Sequence, residues 1–235
     1  MKPNVICHIM GSIDGRILVE RWSRPYGGVA LADYTKVYRQ TGEMLHTDAW
    51  TFGKNTICEI FTERYRCVGS DASQTSTSVY RGKLTSRRKF LSIDPEADIR
   101  YTSNELRGDN IIAVVGKYAA AEYLAFLRSL EISYAVVEDI SNLGEVLEMV
   151  NREFGIRNIS LQGGGVLDGA MLNQGLIDEL SYVMYPGIDG TADSVSIFNY
   201  IGLHDERPAA NVSAELLSIE KMDGGAVWLR YKLHQ

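Results

Sequence analysis

Along this chain, short apolar runs of strand length alternate with stretches whose apolar residues recur at helical spacing. Residues 5–10 form the first strand-length run. Ser12-Ile13-Asp14-Gly15 then reads as a turn, because Asp-Gly favours left-handed backbone. Ile17 and Leu18 resume extended structure. Residues 21–28, with Trp22, Pro25 and a glycine pair, read as a loop: a flap over a ligand or a plain surface connection. Leu31, Tyr34, Val37, Tyr38 and Leu45 predict an amphipathic helix with a break at Gly42. Residues 48–52 predict a second strand, which runs through Gly53-Lys54-Asn55-Thr56 into a helix carrying Ile57, Ile60 and Phe61. Residues 62–86 are polar and rich in Ser and Thr, and read as a long loop.

Residues 90–93 and 111–115 are further strand-length runs, the second leading into a helix with Tyr123, Leu124, Leu127 and Leu130. Residues 134–137 follow as a strand. Leu143, Val146, Leu147, Val150 and Phe154 make a helical stripe stopped by Gly155. Ile156, Ile159 and Leu161 lead into Gly163-Gly164-Gly165. Leu167, Ala170 and Met171 then return to helical spacing, with Gly175 as a stop and residues 180–185 as the next strand. Residues 188–204 are irregular, with Phe198 and Tyr200 as anchors. Residues 215–221 and 227–233 predict a hairpin around Asp223-Gly224-Gly225. The alternation implies an α/β fold: a mostly parallel central sheet with helices on both faces and a C-terminal antiparallel hairpin. Neither an internal repeat nor a linker interrupts it, so residues 1–235 are read as one domain.

The glycine run between a strand and a helix carries the first chemical suggestion. A helix start presents unpaired N–H groups and the positive end of its dipole, and glycines let an anion approach them. The same run also serves as a tight turn that binds nothing. A P-loop is excluded, because no Lys-Ser or Lys-Thr follows the glycines, and a dinucleotide fingerprint fails at Asp168. Gly53 marks a second strand–glycine–helix junction, here with Lys54 and Thr56 at the helix start. Ligands of such sheets sit beyond the carboxyl ends of strands. Both junctions and the Ser12–Asp14 turn are therefore expected on one rim.

Composition narrows the partners. The 235 residues carry a net charge of −6 without an extended basic block, which argues against nucleic acid. The apolar runs are too short to span a membrane, and the N-terminus lacks a signal-peptide pattern. Cys7, Cys58 and Cys67 are scattered and read as reduced thiols of a cytoplasmic protein. Four dispersed histidines offer no zinc pattern.

Three segments carry a family resemblance. Residues 11–17 resemble the S-[LI]-D-G-[RK] segment of the reductase domain of bifunctional riboflavin-biosynthesis proteins, a family related in fold to dihydrofolate reductase. Residues 48–56 resemble its D-A-x-x-x-G-x-x-T segment, and residues 162–180 its E-G-G-G…G-L-I-D-E-L segment. The resemblance implies a dihydrofolate-reductase-like fold, NADPH as hydride donor, a homodimer, and reduction of the ribosyl group of a phosphoribosylamino-pyrimidine. It places Gly163, Gly164, Gly165, Val166 and Leu167 at the cofactor pyrophosphate. Gly53, Lys54, Asn55 and Thr56 fall on the other side of the dinucleotide, and Gly11 and Ser12 beside the nicotinamide. Gln162 stands where the family commonly has Glu facing the substrate. Arg64 is what remains of a phosphate-binding D-D-P-x-L-T-x-R element. Asp14 and Glu59 are the candidate proton donors or substrate anchors. Dihydrofolate reduction, and a nucleotide-binding homologue that has lost turnover, are the alternatives.

Overall fold

The computed structural model describes residues 1–61, 63–66, 78–203 and 206–235. In chain order the elements are β1 (Asn4–Gly11), α1 (Leu31–Met44), β2 (Ala49–Phe52), α2 (Lys54–Ile60), β3 (Ser78–Tyr80), β4 (Lys89–Asp94), β5 (Glu105–Leu106) and β6 (Asp109–Gly116). There follow α3 (Ala121–Ser129), β7 (Ser133–Val137), α4 (Leu143–Phe154), β8 (Asn158–Leu161), α5 (Gly165–Asn173), β9 (Glu179–Met184), β10 (Ser213–Lys221) and β11 (Val227–His234). The α/β expectation holds. The contacts group into two compact units: Met1–Pro3 with Asp48–Ile159, and Asn4–Thr47 with Ser160–Gln235.

In the first unit β2, β4, β6 and β7 are neighbours in that order and all parallel. β6 shows why. Its residues 110–115 are buried without interruption, as a strand covered on both faces must be. Ile111, Ala113 and Val115 share a core with Ile57 and Phe61 of the α2 end and with Tyr123, Leu124 and Leu127 of α3. α4 is capped at its start by the Asn142 side chain, which accepts from the Glu145 N–H, and ends at Gly155 with φ of 69°. The predicted long loop over residues 62–86 contains β3, antiparallel to β7. Only three residues long and half-buried, that strand has too little apolar signal to read from sequence. Residues 67–77 of that loop, with Cys67, lie outside the described residues.

In the second unit β1 pairs parallel with β9, β11 antiparallel with β9, and β10 antiparallel with β11. The predicted terminal hairpin is therefore present. α1 runs straight through Gly42, where the sequence suggested a break. The glycine is there for proximity: a Cβ on it would stand 3.1 Å from His8 Nε2. His8 is fully buried on β1. Its Nε2 lies 2.9 Å from the Tyr38 carbonyl and its Nδ1 3.0 Å from Ser181 Oγ, which also accepts from Trp228 Nε1 at 2.8 Å. The Tyr38 ring stacks on it at 4.4 Å. The carbonyl can only accept, so Nε2 carries a proton, and burial disfavours a second one on Nδ1, which then accepts from the Ser181 hydroxyl.

Burial pushes the His8 pKa down to about 4. A group whose folded pKa is depressed contributes stability that is complete above its unfolded value, near 6.5, and is lost as pH falls through the folded value. Thermal unfolding of the wild type should therefore drop in Tm from pH 6.5 towards pH 4. His8→Gln, whose amide can keep both bonds without titrating, should show a flatter profile; equal slopes would remove His8 as the cause.

Candidate functional site

β8 ends at Leu161 and α5 begins at Gly165, so only Gln162, Gly163 and Gly164 connect them. Gly163 has φ of 88°, backbone that side chains avoid, and the Gly163–Gly164 peptide is cis. Gly164 is the N-cap of α5, with φ −72° and ψ 174°, and its carbonyl accepts from the Leu167 and Asp168 N–H groups at 3.0 and 3.2 Å. Along the turn and the helix start, Gly163 and Gly165 are buried, Gly164 is half-buried and Val166 is exposed. Gln162 donates from its amide to Ser160 Oγ at 3.1 Å.

Gly165 has a packing reason. A Cβ there would overlap the Ser196 carbonyl oxygen, and the Asn199 N–H donates to the Gly165 carbonyl at 2.8 Å. One turn on, a Cβ on Gly169 would come within 2.6 Å of the Tyr200 nitrogen. Residues 196–200 thus lie in a groove that two glycines leave on α5. The same segment is fastened to the first turn of the chain. Ile197 N–H donates to the Gly15 carbonyl at 3.0 Å, Ile17 N–H to the Val195 carbonyl at 3.1 Å, and Arg16 Nη1 to the Ser194 carbonyl at 2.6 Å. Within the second unit, then, the Ser12 turn and the glycine turn are tied to one segment.

Gly11 and Ser12 are buried. A Cβ on Gly11 would come within 3.0 Å of the Arg16 carbonyl and of Tyr182. Ser12 Oγ donates to Asp14 Oδ1 at 2.6 Å and accepts from the Arg16 N–H at 2.9 Å, while Tyr182 Oη donates to the Ser12 carbonyl. Asp14 also accepts from the Asp189 and Gly190 N–H groups at 3.1 and 2.8 Å. The Ser12 hydroxyl, then the Gly190 N–H, hold the Asp14 pKa down at about 2. A carboxylate so held has no proton to give at neutral pH. Asp14 is thereby bound into the turn as an acceptor.

In the sequence Asp168 is only a break in a glycine pattern. It sits fully buried in the first turn of α5, and neither carboxyl oxygen has a hydrogen-bond partner. Burial is the main cause raising its pKa well above the usual carboxylate range. Burial, then the neighbouring Asp168, raises that of the Cys7 thiol on β1 in the same way.

In the first unit, Gly53 is the N-cap of α2, and Asn55 and Thr56 lie in its first turn. Lys54 does not offer a free cation. Its ammonium donates to Asp94 at 2.5 Å and to Asp98 at 2.6 Å, and pairs with Glu96. Burial alone would lower its pKa, but these carboxylates raise it. Asp94, fully buried at the end of β4, also accepts from the Asp98 and Ile99 N–H groups and from Tyr123 Oη. The spacing of Asp94, Glu96 and Asp98 just past a strand was the visible signal for this cluster. Arg64 lies 3.5 Å from Asp98 and is engaged by Cys58. Glu59 is exposed and falls in the last turn of the seven-residue α2.

Residues 3–228 match the family described as the RibD C-terminal domain. The chain belongs to the RibD C-terminal domain family. A search of curated proteins finds no match. Among solved structures this RibD C-terminal domain is similar to a pyrimidine reductase-like protein of Corynebacterium diphtheriae, with TM-score 0.68 and 15% identity over 99% of this chain and 92% of that one. The riboflavin biosynthesis reductase of Saccharomyces cerevisiae follows at TM-score 0.60 and 16% identity, covering 99% and 90%. RibD of Acinetobacter baumannii gives TM-score 0.61 and 18% identity over 99% of this chain, which spans 58% of that protein's length. At these identities the likeness is one of fold.

Two substitutions test the geometry. Lys54→Met leaves a buried carboxylate unbalanced and should cost about 3 kcal/mol in denaturant unfolding. Gly165→Ala should cost about 1–3 kcal/mol as residues 196–200 are pushed away. A variant as stable as wild type in either case contradicts the packing described.

Proposed function

We propose that this chain is an NADPH-dependent reductase of the riboflavin-pathway type, transferring hydride to the ribosyl group of a phosphoribosylamino-pyrimidine or a closely related small substrate. The observation that carries the reading is the glycine turn leading into the start of α5, where Gly164 is half-buried and Val166 exposed, in a chain of the RibD C-terminal domain family. The first N–H groups of a helix favour an anion, so the turn and helix start formed by Gly163, Gly164, Gly165, Val166 and Leu167 are our candidate for holding a dinucleotide pyrophosphate, although the Leu167 N–H already donates to the Gly164 carbonyl. The nicotinamide, when bound, supplies the hydride. The protein's task is placement and exclusion of water. Gly11 and Ser12, bonded into their turn, are our candidates for the residues beside the nicotinamide. Gln162 presents a neutral amide to the substrate.

A second reading has its own support. Gln162 cannot ionise, Asp14 is ionised at neutral pH, and Lys54 is spent on three carboxylates. Those features fit a homologue that binds a nucleotide without turnover. The free thiols of Cys7 and Cys58 fit a reducing compartment, and we place the protein in the cytoplasm. Among the described residues no helix is long and apolar enough to cross a membrane.

We also propose a homodimer through the terminal hairpin. β10 is nine residues long and exposed along almost all of it, Leu216, Leu217 and Ile219 included. It ends the strand order of its unit, and bare apolar edges invite pairing.

Fluorescence titration with NADPH and NADH separates the readings. Wild type should bind NADPH in the micromolar range or tighter (~10 μM or below). Gly164→Asp should lose that binding while staying folded, because its backbone angles suit Asp as an N-cap. Binding with NADPH oxidation on a pyrimidine precursor supports the reductase; binding without it supports the second reading. Well-folded protein that binds neither nucleotide ends both. For the dimer, Ile219→Lys should halve the mass seen by light scattering; an unchanged mass would exclude the β10 edge.

A further inference from the structure

Asp168 is a buried acid that neither the family's glycine pattern nor the proposed hydride transfer uses. It lies in the first turn of α5, and both carboxyl oxygens lack a hydrogen-bond partner. Oδ2 stands 3.9 Å from where a Cβ on Gly163 would sit, so the carboxyl is aimed at the underside of the glycine turn. We propose that Asp168 is a positioning residue whose protonated form accepts a pyrophosphate at the start of α5, so that nucleotide binding takes up a proton when it begins from the ionised acid. This rests on the proposed cofactor site.

The argument is one of competing anions. The positive end of a helix dipole favours one negative charge within its first turn. An ionised Asp168 would supply that charge from inside the protein and repel a pyrophosphate on the outside. A protonated Asp168 leaves the helix end free. Burial favours the protonated form and outweighs the Cys7 thiol and the Gly163 N–H, which both favour the ionised one. On β1 the titratable neighbour is Cys7, itself held as a neutral thiol by burial; from the turn only the Gly163 N–H acts on it. Ile9 of β1 closes against Gly163 from the apolar side. No other residue of α5 is ionisable, and no basic side chain is among the groups that act on the carboxyl. Burial, the largest influence, keeps the proton on.

The test is NADPH affinity of the full chain from about pH 6 to about pH 9, wild type against Asp168→Asn, by calorimetry in buffers of different ionisation enthalpy. The ligand's own titration is common to both proteins and cancels. Wild-type affinity should fall by up to about tenfold per pH unit once Asp168 ionises, with proton uptake on binding in that range. Asp168→Asn should show neither effect and should bind at high pH as wild type does at low pH. Asp168→Ser, smaller and equally neutral, should behave the same if the Asn variant folds poorly. Binding with parallel pH profiles and equal proton uptake overturns this inference and leaves the cofactor site standing. Folded wild type that binds no nucleotide at any pH overturns both.

Discussion

A strand covered on both faces leaves its polar groups nowhere to go. Water is excluded, so each buried hydrogen-bonding atom needs a partner within the protein or a proton to neutralise it. That constraint shapes both units. In the first, Asp94 is completed by an ammonium, two backbone N–H groups and a tyrosine hydroxyl. In the second, His8 is completed by a carbonyl, a serine and a stacked tyrosine ring. Asp168 is one of the cases left open among the described residues, and burial favours its neutral form.

The same constraint explains how loops double as scaffolding. The segment after β9 has no ladder of its own, so its backbone groups must be satisfied from elsewhere. Asp14 takes the N–H groups of Asp189 and Gly190; Arg16 takes the carbonyls of Ala192 and Ser194. The carboxylate that looked catalytic from its place after a strand is used for this. Lys54 is a similar case: a cation at a helix start suggests an anion, but three carboxylates surround it.

Much of the architecture was legible because the apolar period changes cleanly from strand to helix. The stripe from Leu143 to Phe154, stopped by Gly155, became α4, and the uninterrupted run at Ile111 became a doubly covered strand. Short or half-exposed pieces were not legible. β3 and β5 have two or three residues each and owe their form to neighbouring strands. Gly42 misled because glycine signals either a break or a close neighbour, and only the fold tells which. At the glycine turn, sequence marked the place but not the division of labour between a turn at Gly163 and packing at Gly165. Contacts such as Asp168 with Cys7, or Lys54 with Asp94, join residues far apart in the chain and have no local pattern.

Irregular segments are ordinarily where a protein family lets its length drift. Residues 196–200 do not have that freedom. They run through a notch cut by Gly165 and Gly169, with the main chain of each side touching the other. An added residue would have to bulge where there is no room, and a larger side chain at either glycine would lever the helix start away from its turn. In this stretch selection is expected to hold chain length more tightly than side-chain identity, so that an alignment of relatives would find few gaps there even where the letters vary.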